Sequence, residues 1–143
     1  MKKLIMTILI SLFFISTGYA AESYVASIKS AGTFQVLSLA WTTDASGNFV
    51  ARTTPAINGY IVAIITNPGS AAPTADYDPL LTNSDGIDVS GGTLADRHTS
   101  TSQFIMPLHN SEVVKMPVLG SLTFDITNAG ASKNGVLDIY YTR

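Results

Sequence analysis

The chain has no cysteine among its 143 residues. That excludes a disulfide framework and a thiolate zinc site, so stability must come from packing or assembly. Charge is also scarce, at 13% of residues, and only two histidines are present. With Lys2 and Lys3 set aside, six Lys and Arg stand against ten Asp and Glu. Such a mildly acidic chain argues against a nucleic-acid or anionic-membrane surface. No convincing amphipathic helical pattern appears. Uncharged Ser, Thr and Asn, among many small Ala and Gly, supply much of the polarity, and a weakly charged, Thr-rich surface suits strands because β-branched residues pack well on a pleated sheet.

One mostly apolar run is present, from Leu4 to Ile15, preceded by Lys2 and Lys3 and followed by Gly18-Tyr19-Ala20. This is the charged region, short hydrophobic region and small-residue exit of a secretory signal peptide, with cleavage expected after Ala20. The run is shorter than the roughly 20 apolar residues that cross a bilayer. Residues 1–20 therefore read as a signal peptide, with a retained anchor as the alternative, and 21–143 as one domain. The expected destination is outside the cytoplasm: periplasm, medium or a particle surface.

Short strands punctuated by turns follow. Tyr24–Lys29 and Phe34–Thr43 read as strands, the second with Gln35, Leu37, Leu39 and Trp41 on one face and Phe34 and Val36 on the other, which predicts cover on both sides. Asp44–Asn48 supplies a tight reversal, and Phe49–Thr53 is expected to return as the hairpin partner. Ile57–Thr66, uncharged and rich in β-branched residues, predicts a central buried strand. Asp76–Thr82 and Ile87–Val89 flank an Asn83–Gly86 turn. Leu94–Arg97 suggests a helical turn. Gln103–Leu108 and Glu112–Met116 are limited by Pro107 and Pro117, predicting strands near an edge that carry intermolecular contacts. Leu122–Thr127 and Val136–Thr142 alternate cleanly. About eight strands without a helix predict a single antiparallel β-sandwich, jelly-roll or Ig-like.

Chemistry is sparse. Asp76, Asp78, Asp85 and Asp88 fall within thirteen positions and could offer oxygen ligands to calcium, but their spacing matches no known loop and turn chemistry explains them. His98 and His109 with Asp96 could draw a metal site, yet a polar loop role suffices. No Gly-x-Ser-x-Gly elbow is present, and Gly91-Gly92 reads as a bend instead of a phosphate loop. Trp41, Tyr60, Tyr77, Tyr140 and Tyr141 could stack on a sugar, or could fill a core or interface. No residue is assigned a catalytic, cofactor-binding or metal-binding role, and the chain reads as a non-enzyme.

Several strings, among them Ile57-Asn-Gly-Tyr-Ile61, Thr66-Asn-Pro-Gly69, Ala72-Pro-Thr-Ala-Asp-Tyr-Asp78, Asp85-Gly-Ile-Asp-Val89, Gly91-Gly-Thr-Leu-Ala-Asp-Arg97 and Ile126-Thr-Asn-Ala-Gly130, resemble small structural proteins encoded among tailed-phage, prophage and environmental viral genes. The likeness runs from about Tyr24 to Arg143 and rests on turn and strand motifs. It implies a shared fold and a virion-associated or surface structural role, with no catalytic residue to carry over. The expected partners are further copies or other virion or surface proteins, and the alternative is a secreted module binding a glycan or calcium. The export signal departs from the viral pattern, and a prophage-derived gene exported by its host, or assembly at the envelope, reconciles the two. A weaker likeness is to exported pilus subunits, with Gly130 fourteenth from the end and Leu137, Ile139 and Tyr141 alternating, although the terminal aromatic is displaced by one position.

Overall fold

A computed structural model describes residues 21–143; the expected signal peptide lies outside the described residues. The described chain is all-β, with eleven strands in antiparallel sheets and no helix. They are β1 (Ser23–Ala31), β2 (Phe34–Thr42), β3 (Arg52–Thr53), β4 (Ile57–Pro68), β5 (Asp78–Thr82), β6 (Gln103–Ile105), β7 (Leu108–His109), β8 (Glu112–Val113), β9 (Met116–Gly120), β10 (Thr123–Thr127) and β11 (Asn134–Thr142). Four of these have only two or three residues, which accounts for much of the excess over the eight expected.

The larger sheet runs β1-β2-β11-β4, and the far side of β4 is shared by β9 and β6. It curls into a half-barrel. A register shift between Tyr140 and Tyr141 marks a bulge where β11 meets β4, and bulges increase local twist. The smaller sheet is β3-β10-β5, and β7-β8 is a separate hairpin. The central placement of Ile57–Thr66 holds, with β11 on one side and β6 and β9 on the other, but the strand is not buried throughout, since Asn58 and Tyr60 are exposed on its outer face. Of the two proline-limited segments, Gln103–Leu108 reaches that sheet's edge through Gln103–Ile105 (β6), whereas Glu112–Met116 lies mostly in the separate β7-β8 hairpin and joins the edge only at Met116, the first residue of β9.

The core takes one face of each sheet. Leu37, Leu39 and Trp41 of β2, Ile57, Ile61 and Ile64 of β4, and Leu137, Ile139 and Tyr141 of β11 meet Leu81 of β5 and Phe124 and Ile126 of β10. The strict alternation of β2, β10 and β11 in sequence is thus the alternation between core and solvent. Phe49 packs edge-on against Phe124 at 5.5 Å, and Tyr24 of β1 lies 6.2 Å from the same ring. Trp41 stands opposite Gly135 in the register. A Cβ at Gly135 would come within 2.8 Å of the indole, so only glycine leaves room for Trp41 to lie flat in the core.

Three expectations are corrected. Phe49–Thr53 does not return along β2, because both sides of β2 are taken by β1 and β11. Buried Phe49 instead carries the chain to the smaller sheet, where β3 pairs with β10. Leu94–Arg97 is a series of turns and not a helical turn: Leu94 is buried, and Arg97 donates its backbone N–H to the Tyr77 carbonyl at 2.9 Å. β2 is central within its sheet yet covered on one face only, since Phe34 is exposed and Val36, Ser38 and Ala40 are half-buried on the other.

Candidate functional site

The residues weighed for chemistry are mostly occupied in building turns. Asp88 accepts the N–H groups of Ser90 at 2.8 Å and Gly92 at 2.7 Å. Asp78 accepts the Asp96 N–H at 2.9 Å and the Asn128 amide at 2.7 Å. Asp85 follows Asn83, whose side chain accepts the Asp85 and Ile87 N–H groups, and Asp76 is a loop residue at positive φ. Each turn gains its shape from a carboxylate or amide accepting backbone N–H groups. Among the described residues no three His, Asp or Glu side chains gather as a metal site. A depression of about 180 Å³ does bring Asp78, Asp88 and Asp125 to one lining, but each of the three already accepts a backbone N–H.

The histidines serve separate turns. His98 Nδ1 accepts the Ser100 and Thr101 N–H groups at 3.1 and 3.0 Å, while His109 lies beside Asn110 on the β7-β8 hairpin. Asp44 accepts the N–H groups of Ser46 and Asn48, each at 2.8 Å. The Asn48 bond above all holds its carboxyl below the ordinary value. The five aromatic side chains considered for sugar stacking are not gathered on one surface. Trp41, Tyr77 and Tyr141 are buried, with Trp41 and Tyr77 packed 5.8 Å apart and the Tyr141 hydroxyl donating to buried Gln35 at 2.8 Å.

What remains is a surface that motif reading did not find: the outer face of the larger sheet. The register places Val25, Ala40 and Val136 in one row and Phe34, Thr142 and Tyr60 in another, with Phe104 and Leu119 beyond β4. Of these, Val25, Phe34, Tyr60, Phe104 and Leu119 are exposed large apolar groups, Leu119 at 92%. Asp138 in the middle of the face accepts from the Ser38 hydroxyl and from the Asn67 amide at 2.9 Å, so the centre of the face is polar. The signal was present in the sequence as apolar residues at both parities of β2 and β4. In the sequence alone that pattern implies burial on two sides.

At one edge of this face β1 makes no pair on its outer side with any described strand. Val25 there is 64% exposed and Ile28 42%. Beside it an open depression of about 280 Å³ is lined by Val25, Ala40, Val136, Gly69 and Asn134. Glu22 pins the start of β1 to the segment leading into the smaller sheet, accepting the Val50 N–H at 2.9 Å and pairing with Arg52. No protein-family model matches the chain, and no curated protein matches it. Among the described residues no helix is long and apolar enough to cross a membrane.

Proposed function

We propose that the protein is a non-enzymatic structural subunit that acts by assembly at a surface or on a particle, exported by the segment 1–20 and of phage or prophage type. On this reading the two sheets are the layers of one β-sandwich, jelly-roll or Ig-like in outline, and the partners are further copies or other structural proteins. One observation carries the proposal: the exposed apolar side chains Val25, Phe34, Tyr60, Phe104 and Leu119 share the outer face of one sheet. Scattered exposed apolar residues are ordinary on a monomer, whereas several on one face mark an interaction surface.

Sedimentation of the protein expressed from the full chain, across a wide concentration range, tests the reading. Reversible growth in mass with concentration is expected. A strict monomer that binds a glycan array, or melts higher with calcium, would replace it with a secreted binding module. Strand donation of the pilus kind gains no support at the C-terminus, because β11 is paired on both sides and leaves no gap there for a donated strand.

A further inference from the structure

The two edges of the larger sheet differ in what they offer a partner. β6 and β9 are short and interrupted, and β9 contains Pro117, which has no N–H to donate. β1 is nine residues long, free of proline, and carries a single charge, Lys29. Natural edges that must not pair are shortened or blocked with proline and lysine. β1 is barely protected in this sense.

The hydrogen-bonding parity of β1 follows from its hairpin. The turn between Ala31 and Phe34 has two residues, Gly32 and Thr33, with Gly32 at φ +63°, as a type II′ hairpin turn requires at its first position. Two-residue closure makes Ala31 and Phe34 a hydrogen-bonded pair, so the odd-numbered residues of β1 direct their backbone groups to β2. Tyr24, Ala26, Ile28 and Ser30 then direct theirs outward. Among the described residues these four N–H and four C=O groups form an unpaired ladder, fixed by the hairpin at one end and the Glu22 contacts at the other.

We propose that this edge pairs antiparallel with β1 of a second copy, with Ser27 facing Ser27 across a two-fold axis. The inference rests on the assembly reading above and names its contact. An antiparallel edge is complementary to itself, so one strand supplies both halves of a closed interface. In the Ser27-centred register all nine residues are matched and about eight backbone hydrogen bonds form. Val25 then stands opposite Lys29 of the other copy, whose aliphatic stem covers it. The two Lys29 charges lie about 14 Å apart along the strands, beyond the screening length at physiological salt. A register centred on Lys29 would set like charges face to face. The outer faces of the two sheets become continuous, which extends the apolar surface carrying the assembly proposal.

Because the chain has no cysteine, a single introduced one reports contacts between copies. Ser27→Cys in the full chain should oxidise to a reducible dimer, since facing residues at a non-hydrogen-bonded pair have Cα atoms about 4.5 Å apart, within disulfide reach. Val113→Cys on β8 should remain monomeric under the same conditions. Ala26→Pro removes a donor that β2 does not use, so the variant should keep its thermal unfolding while self-association weakens about tenfold or more. Should Ala26→Pro fail to fold, Ser27→Cys alone decides. A wild-type chain that stays monomeric would sink both this proposal and the assembly reading. A chain that associates without Ser27→Cys cross-linking, or that cross-links through Val113→Cys instead, would overturn the β1 contact alone.

Discussion

The two edges of the larger sheet show how differently one fold can treat the same hazard. On the β4 side the edge is divided between β9 and β6, neither longer than five residues, and the chain between them turns away into the β7-β8 hairpin. The turn of that hairpin places Asn110 and Ser111 at positive φ, which favours a tight reversal over further pairing with the sheet. On the β1 side a full-length strand has no outer partner among the described residues. The β9 side is built to end the sheet, and the β1 side is built so that it can continue. Three tests bear on this contrast, in descending order of effect.

Besides the Glu22 contacts, the β1 edge meets the smaller sheet through one ring. Phe124 is fully buried and contacts both Tyr24 of β1 and Phe49. Phe124→Ala should cost about 3–5 kcal/mol in denaturant unfolding, the range for a large-to-small core change, while Thr123→Ala on the exposed face should cost well under 1 kcal/mol. Equal small losses would show that Phe124 does not fill this core and that Tyr24 of β1 does not rest on it.

The opposite edge is anchored by a polar contact. Buried Thr54 accepts the Leu122 N–H at 3.0 Å through its hydroxyl, while its own N–H donates to the Leu122 carbonyl at 2.8 Å. This clamps the start of β4 to the chain emerging from β9. Thr54→Val keeps the shape but leaves the buried Leu122 N–H without a side-chain acceptor, so about 1–3 kcal/mol should be lost. The proton on the Leu122 amide should also exchange faster than in the wild type. A neutral effect would mean that the β9 edge ends the sheet without this clamp.

Legibility in the sequence followed the physics of each segment. Where one face is buried and the other wet, as in Leu122–Thr127 and Val136–Thr142, alternation marks both strand and face, and the core residues Phe124, Ile126, Leu137, Ile139 and Tyr141 were readable directly. The Asp44–Asn48 and Asn83–Gly86 turns were readable because Asx side chains and glycine mark them chemically. Strand pairing was not readable. Nothing local to Phe49–Thr53 says that β11, almost a hundred residues later, takes the place beside β2. β9 was missed because Pro117 argues against a strand until β4 supplies the other side. The outer face was hidden for a related reason: a strand apolar on both sides looks the same whether the second side is covered by the protein or left for a partner.

The smallest expected effect also lies on β1, on its inner face, and is read by pH. The Tyr24 hydroxyl is buried without a hydrogen-bond partner among the described residues, and burial raises its pKa above the ordinary tyrosine value of 10.0. Tyr77 is raised for the same leading reason, more deeply inside the core. A phenol whose folded pKa lies above its unfolded one contributes stability that is fully present below pH 10 and is lost as the pH rises through the folded value. Thermal unfolding should therefore fall in temperature between pH 9 and pH 11. Tyr24→Phe removes both the ionisable group and an unpaired buried oxygen, so it should match or slightly exceed the wild type near pH 8 and lose less on moving to alkali. Tyr24 is only partly covered, so solvent screening keeps the difference small. If Tyr24→Phe instead loses stability near neutral pH, the hydroxyl has a partner after all, and the inner face of β1 is bound to the core by more than the packing of its ring on Phe124.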